Sequence, residues 1–237
     1  MYTTETYKNP FWAENSGFMT GRDPLGVQNS SITTYGRLLP GMTNLTLRLR
    51  YYGFYLWLLS EFDKMVSSKT EKNLKNHFNF IRRAELTVGF IMRKKYPDEL
   101  SIIGSNYTAM KENEVLEYGF YDIKLGADKI QNTGQEDVYW EFPSGALGQY
   151  YAGSLISLGL ISISEKFFII ELEGQKLASA FASSIPEAQL SRFLKIISLG
   201  LLTIDDINNL DGFCINKIKP NLNEWNYYQN ICRRPRI

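Results

Sequence analysis

Clusters of basic residues carry the most definite chemistry in this sequence. Guanidinium groups bind phosphate through paired hydrogen bonds, and aromatic rings beside them stack on bases. The sequence therefore predicts nucleic-acid contacts on the helices that carry these clusters. They are Arg48 and Arg50 beside Tyr51, Tyr52 and Tyr55; Arg82 with Arg83; and Arg93, Lys94 and Lys95.

The same arginines have an alternative role inside the protein. Glu61 and Glu85 occur in the same stretch of chain as the basic clusters. Arg–Glu pairs within a pair of helices would occupy the guanidinium groups and leave them unavailable to a ligand. The sequence alone leaves both alternatives open.

A metal-dependent nuclease is a third hypothesis. Pro97-Asp98 and Asp122-Ile123-Lys124 match the pattern PD…(D/E)xK. Such a site needs two carboxylates on a metal ion with a lysine beside them. Asp122 and Lys124 share one face of a predicted strand. The pattern is short, however, and Asp98 follows a helix instead of opening a strand.

Other catalytic motifs are missing from the sequence. It has no Walker loop, no GxSxG, HExxH or CxxC pattern and no GxGxxG. The single histidine, His77, argues against a site that needs two, and Cys214 and Cys232 are too isolated to bind zinc. No catalytic residue, metal ligand or cofactor is predicted. An enzyme would have to use ordinary Asp, Glu, Lys or Tyr side chains without a motif.

Composition predicts a globular protein and excludes a uniformly basic one. The 237 residues are 44% hydrophobic and 22% charged, with a net charge of +1. The charge is uneven along the chain. Residues 40–95 carry eleven Lys/Arg against four Asp/Glu, whereas residues 96–144 carry three against ten. This pattern fits either a basic face for a polyanion or two blocks that pack against each other or simply form solvated faces.

The first half of the chain predicts a helical hairpin. Apolar residues at steps of three and four predict helices over 43–66 and 69–95, the second capped by Ser68 and Glu71 and ended at Tyr96-Pro97. Residues 1–42, rich in Gly and Pro, predict a loop-rich arm. Residues 98–142 predict a short helix near 107–117 and strands at 118–124 and 138–142.

The second half alternates helices with one hairpin. The patterns predict a helix over 146–158 stopped by Gly159, strands at 160–163 and 167–172 joined by a short turn, and a helix from Glu173. Further helices are predicted at 186–199, 204–210 and 222–232. Gly200 is the predicted stop of the first, and Thr203, with Asp206 three residues on, is the predicted cap of the second. The predicted fold is mainly α with a small β wing. Its predicted divisions are 1–42, 43–142 and 143–237.

One segment resembles a known domain. Leu155-Ile-Ser-Leu-Gly-Leu-Ile161, the hairpin 162–172 and Leu172-Glu-Gly-Gln-Lys-Leu177 resemble the second half of a winged-helix domain of the MarR/PadR type, over residues 145–182. The family's Thr after the strand is Glu173 here, and its Gly comes one or two residues early. In that family, the helix before the wing enters the major groove of DNA.

The resemblance implies a DNA-reading helix with unusual charge. Gln149 would read adenine, and Lys166 would contact DNA from the wing. The helix itself contains no Lys or Arg, although phosphate contacts supply most of the affinity for DNA. The alternative is a winged helix used for packing or for binding another protein.

The whole chain is also similar to bacterial proteins of anti-phage defence and DNA-modification loci. The segments that carry this similarity are Asp23-Pro-Leu-Gly, Leu38-Leu-Pro-Gly-Met-Thr-Asn and Arg48-Leu-Arg-Tyr-Tyr-Gly-Phe-Tyr-Leu-Trp. The similarity implies a non-catalytic nucleic-acid-associated or regulatory component of such a system. The alternative is a protein-interaction subunit without nucleic-acid contact. The expected partners are a protein and, for the first role, a nucleic acid. No membrane contact is expected, because no apolar stretch approaches bilayer length. A cytoplasmic location is expected, because the N-terminus lacks the apolar region of a secretory signal.

Overall fold

The structure is a computed structural model that describes most of the chain beyond the N-terminal region. It describes residues 48–68, 73–99, 101–112, 119–128, 138–216 and 223–233, together with Ser31, Thr34 and Thr46. Contacts between Cα atoms separate residues 1–40 from residues 41–237, and all helices and strands named below belong to the second unit. Most of the predicted arm 1–42 lies outside the described residues.

The predicted helical hairpin is present. Helix α1 spans Arg50–Ser68 and helix α2 spans Leu74–Lys95. Tyr55 bonds to Glu85, while Phe62, farther along α1, packs on His77, nearer the start of α2. The two helices therefore run antiparallel.

Both helices begin later than predicted. Thr46 and Arg48 are not helical, so the predicted start at residue 43 is wrong. The predicted cap of the second helix is also wrong, because Ser68 ends α1. Asn73 caps α2 instead, with its side chain accepting the N–H of Asn76 at 2.8 Å.

The segment after the hairpin is irregular. It contains α3 (Ser105–Met110), β1 (Phe120–Asp122) and α4 (Ile123–Asp128). No strand forms over 138–142. The partner of β1 is β4 (Leu201–Thr203), a strand that was not predicted, with Tyr121 opposite Leu202. The two strands lie about eighty residues apart in the chain, so no short stretch of sequence indicates that they pair.

A hairpin follows a helix that is partly π-helical. The π segment Leu147–Tyr151 continues into α5 (Ala152–Ser157). Gly159 then ends the helix with φ +67°, as predicted. Strands β2 (Ile161–Ser164) and β3 (Phe167–Ile170) pair antiparallel with Ile161 opposite Ile170.

The remaining helices agree with the sequence patterns. They are α6 (Leu172–Ser183), α7 (Glu187–Leu199), α8 (Ile204–Asn209) and α9 (Asn223–Arg233), with a 3-10 turn at Asp211–Phe213. Gly200 ends α7 with φ +74°, and Thr203 forms the predicted capping box with Asp206.

The core is continuous from the helical hairpin into the second half of the chain. Helix α1 packs extensively on α6, and Trp57 of α1 lies among Phe181, Phe193 and Phe213. Helices hold 69% of the described residues and strands 9%. The prediction of a mainly α fold with a small β wing is confirmed. Within the described residues, no helix combines the length and apolarity needed to cross a membrane.

Candidate interaction surface

A buried arginine in the middle of α2 holds the irregular segment before the π helix. Arg82 is 0% exposed, and its guanidinium donates to the carbonyl oxygens of Ala127 at 2.7 Å, Trp140 at 2.7 Å and Phe142 at 2.6 Å. It also lies 5.0 Å from the ring centroid of Tyr139. These bonds explain why 138–142 is not a strand: a side chain, not a neighbouring strand, satisfies its carbonyl groups.

One helical turn farther along α2, Glu85 holds the start of the next helix. Its carboxylate, also fully buried, accepts the hydroxyl groups of Tyr55 at 2.7 Å and of Tyr139, and the backbone N–H groups of Ala146 at 3.0 Å and Leu147 at 2.8 Å. Burial raises the pKa of Glu85, and these four hydrogen bonds oppose the rise. The carboxylate thus caps a helix that begins about sixty residues away in sequence.

Gly145 makes this cap possible. Its φ is +67°, and a Cβ at this position would overlap the carboxylate of Glu85. A residue with a side chain would therefore be strained and would displace the cap. Arg82 and Glu85 together fix residues 139–142 and the first turn of the helix relative to α2.

The outer side of this fixed region is an aromatic surface, formed by Trp140, Phe142, Gln149 and Tyr150. The indole N–H of Trp140 donates to Gln149 Oε1 at 2.8 Å. The rings of Trp140 and Tyr150 meet edge to face, with centroids 5.7 Å apart and planes at 86°. Phe142 is 44% exposed, and its ring lies near Gly148 of the π segment, whereas Trp140 and Tyr150 are half-buried.

The π segment determines how the helix presents these side chains. Ala152 N–H bonds to the carbonyl of Leu147, five residues back, so the turn holds one residue more than an α-helical turn. A Cβ at Gly148 would overlap Ser144 Oγ and crowd the Phe142 ring. The missing side chain at Gly148 lets Phe142 lie against the helix.

Most of the predicted nucleic-acid contacts are occupied by internal partners. Arg48 pairs with Glu99 at 2.7 Å, Arg83 with Asp128 at 2.5 Å and Arg93 with Glu112 at 3.3 Å. All three pairs join the basic block 40–95 to the acidic block 96–144. The interpretation that these two blocks pack against each other is therefore confirmed for these pairs.

The two most buried arginines are unavailable to a phosphate in this structure. Arg82 is enclosed by its three carbonyl partners. Arg50, 7% exposed, donates to the carbonyl of Cys214 at 2.5 Å and lies 3.4 Å from the carboxylate of Glu224. The predicted partners differ as well, because Glu61 pairs with Lys64 at 2.7 Å and Glu85 bonds to tyrosines and backbone.

At the end of α2, one lysine of the basic triplet stays free. Lys95 is bonded to the Asp211 carboxylate and to the Asn208 carbonyl. Lys94 is exposed and has no partner among the described residues. Arg93 and Lys94 line a groove of about 40 Å³. That volume holds water-sized groups and is far below the several hundred Å³ typical of ligand pockets.

The wing contributes one more free cation. Lys166 is exposed at the turn between β2 and β3, with φ +70°, and has no partner among the described residues. The exposed side of the preceding helix, by contrast, is uncharged. Gln149, the predicted base-reading residue, is exposed, and its carbonyl oxygen is engaged by Trp140.

The nuclease pattern is not assembled into a metal site in the part of the chain that the structure describes. There, no three His, Cys, Asp or Glu side chains lie close enough to hold a metal ion. Asp122 instead accepts the backbone N–H of Lys124 at 3.0 Å and closes a local turn. Asp98 lies in the turn after α2.

Sequence reasoning did not single out Trp140 or Phe142, and it considered Tyr150 only as a contact to phosphate. The signal that points to them is indirect. Arg82, Arg83 and Glu85 lie in a largely apolar part of α2, and charged residues in such a run indicate buried polar contacts to a distant segment. Which segment supplies those contacts cannot be read from α2 itself.

Comparison with family models, with curated proteins and with solved structures gives no match to this chain. Its functional assignment therefore rests on the geometry of its own residues.

Proposed function

We propose that this chain is a protein-interaction module that binds a partner protein through its aromatic surface. The observation that carries the proposal is the state of the nine predicted nucleic-acid contacts. Seven of them are bonded within the protein, whereas Lys94 and Lys166 have no partner in the part of the chain that the structure describes. The bonded seven are Arg48, Arg50, Arg82, Arg83, Arg93, Lys95 and Gln149.

The aromatic surface has the composition of a protein interface. Trp and Tyr are enriched among the residues that contribute most binding energy, and exposed apolar rings lose their hydration when a partner covers them. Arg82 and Glu85 hold the backbone beneath Trp140 and Phe142, so little conformational freedom is lost on binding. Burying two charged side chains is costly, and holding this surface in place is a role for Arg82 and Glu85 beyond stabilising the fold.

Nucleic-acid binding is the second candidate function. Its support is the resemblance of residues 145–182 to a winged helix and the two free lysines. Each contact with a phosphate adds to the affinity for nucleic acid, so two cations would support only weak binding. Membership of a bacterial defence or DNA-processing system, in the cytoplasm, remains an expectation based on resemblance.

Affinity capture with matched variants tests the proposal. The full chain, Trp140→Ala and Ile163→Ala are used as baits in extracts of the source cells. Trp140→Ala leaves the carbonyl that Arg82 binds in place, and Ile163 is 52% exposed on the wing. We expect a protein retained by the native chain and by Ile163→Ala but lost with Trp140→Ala. Calorimetry with that protein, once purified, should give the same order of affinities.

A DNA titration tests the second candidate function, nucleic-acid binding. Fluorescence anisotropy of labelled duplex and single-stranded DNA should stay flat at micromolar protein, at both low and moderate salt. Binding that falls steeply with salt and is lost in Lys94→Glu or Lys166→Glu would overturn the protein-interaction assignment. Equal capture by the native chain and Trp140→Ala would overturn the role of the aromatic surface.

A further inference from the structure

We infer that the aromatic surface binds an arginine-bearing segment of the partner protein. The inference rests on the proposed function and adds the chemistry of the partner. Its first support is Glu141, which lies between Trp140 and Phe142 in sequence and is exposed. Its carboxylate has no partner among the described residues. A free carboxylate flanked by two aromatic side chains is suited to a cation that also stacks on a ring.

Charge complementarity favours a basic partner. Residues 96–144 carry ten acidic side chains against three basic ones. Three of those acids, Glu99, Glu112 and Asp128, are paired with arginines of the basic block 40–95. Glu141 is not, so its negative charge is available at the surface. Phosphate groups would be repelled there, which separates this partner from a nucleic acid.

Arginine fits the surface better than lysine does. Its planar guanidinium stacks on an aromatic ring and donates two parallel hydrogen bonds to a carboxylate, whereas an ammonium group is a point charge. The protein already places guanidinium groups over aromatic rings in its interior. Arg82 lies 5.0 Å from the ring centroid of Tyr139, and Arg50 lies 5.3 Å from that of Phe181.

Gln149 supplies a further contact for a polypeptide. Its Oε1 accepts the indole N–H of Trp140, which orients the side chain. The amide nitrogen of the same group is a donor, suited to a backbone carbonyl of the bound segment. Trp140, Glu141, Phe142 and Gln149 thus offer a carboxylate, aromatic rings and an amide donor. The guanidinium of an arginine-containing peptide is the counterpart of the first two, and a peptide carbonyl is the counterpart of the third.

The test is an NMR titration of the full chain with short peptides of defined charge. The probes are Gly-Arg-Leu-Arg-Gly, its glutamine counterpart Gly-Gln-Leu-Gln-Gly and its glutamate counterpart Gly-Glu-Leu-Glu-Gly. The reporter is the indole N–H resonance of Trp140, assigned with Trp140→Phe. We expect saturable shifts with the arginine peptide and at least about tenfold weaker binding of the other two.

Two isosteric variants provide the charge control. Glu141→Gln should weaken binding of the arginine peptide by about three- to tenfold, because it removes one carboxylate at the surface. Glu165→Gln removes an exposed carboxylate from the wing and should leave the binding unchanged. Folding of each variant is checked by its amide spectrum, and neither side chain is buried.

Equal binding of the arginine and glutamine peptides, no saturable shift, or no effect of Glu141→Gln would each overturn the inference. Its failure is distinguishable from failure of the proposed function. If Trp140-dependent capture of a partner persists while arginine peptides do not bind, the surface is an interface for a different chemistry. If capture is also independent of Trp140, the proposed function fails as well.

Discussion

At the scale of single residues, one carboxylate connects three distant parts of the chain. Glu85 belongs to α2, accepts a hydroxyl from α1, and caps the helix that begins near Ala146. All four of its hydrogen bonds come from buried donors. In a low-dielectric interior, a donor that loses its acceptor pays the full cost of desolvation.

Glu85→Gln should therefore be strongly destabilising despite its equal size. In the glutamine variant, one carboxylate oxygen is replaced by an NH₂ group, which donates and cannot accept. That group would face donors that now bond to Glu85, and a backbone N–H cannot turn away from it. We expect a loss of about 2–3 kcal/mol in the free energy of unfolding, measured by urea denaturation. Glu61 is half-buried and pairs with exposed Lys64. The control variant, Glu61→Gln, should change the free energy of unfolding by less than about 1 kcal/mol. Equal effects of the two variants would contradict the capping role.

At the scale of elements, the wing depends on a strained turn. Glu165 and Lys166 have φ values of +50° and +70°, the left-handed conformation that a two-residue type I′ hairpin requires. Residues with a Cβ reach this region at a cost of roughly 1 kcal/mol each. Neither residue compensates with a contact among the described residues.

Replacing the turn by Glu165→Asn with Lys166→Gly should stabilise the protein. The native conformation suits both new residues, and we expect a gain of about 1–2 kcal/mol in thermal or urea unfolding. Lys166→Ala removes the same ammonium group but keeps the strain, so its stability should stay near the native value. A gain from Lys166→Ala as large as that of the double variant would show that charge, not backbone conformation, limits stability.

The start of α8 predicts a stability that depends on pH. Asp206 is buried, which by itself raises its pKa; its hydrogen bonds to Arg192 and Thr203, and the Arg192 charge, outweigh burial and lower the pKa overall. A carboxyl with a lowered pKa in the folded state stabilises the fold above its ordinary pKa. That contribution is lost as the pH falls through the lowered value.

Asp206→Asn should accordingly cost about 1–3 kcal/mol at pH 7, and the cost should shrink as the pH falls through the lowered pKa of Asp206, where the native carboxyl becomes protonated. Urea denaturation at several pH values measures the difference. Asp205→Asn is the control. The Asp205 side chain is exposed, so we expect this variant to have a small effect on stability that varies little with pH. A cost of Asp206→Asn that is independent of pH would contradict the assigned cause.

At the scale of the whole molecule, α9 is held to α1 and α6 by a buried polar network. Arg50 of α1 lies 3.4 Å from Glu224 of α9, and both side chains are almost completely buried. The Tyr228 hydroxyl donates to Glu224 at 3.2 Å and accepts the N–H of Gly53 at 3.0 Å. That N–H is among the first four of α1, so a residue near the end of the chain completes the start of α1.

Tyr228→Phe should loosen this contact without leaving a cavity. It leaves the Gly53 N–H without an acceptor and Glu224 without one donor, and the expected loss is about 1–3 kcal/mol in the free energy of unfolding. Tyr227→Phe is the matched control, because its half-buried hydroxyl lies 3.4 Å from Glu173. Hydrogen exchange of the α1 amides should accelerate only in Tyr228→Phe, and equal effects in both variants would contradict the assigned network.

The sequence by itself determined the elements whose signals are local. Apolar periodicity located the two long helices, and Gly159, Gly200 and the Thr203–Asp206 capping box defined helix ends, because backbone conformation at these points depends on a few neighbouring residues. The hairpin of β2 and β3 was equally readable. The mainly α fold follows from these elements.

Only the tertiary structure decided which polar groups meet. Arg82 and Glu85 are ordinary charged residues in the sequence, yet one binds the carbonyls of residues 127, 140 and 142 and the other caps a distant helix. The pairing of β1 with β4 likewise joins segments with no local signal for each other. A buried polar group needs a partner, but its own sequence neighbourhood does not specify that partner. The aromatic surface emerged only after those long-range bonds had placed Trp140 and Phe142 beside the π helix.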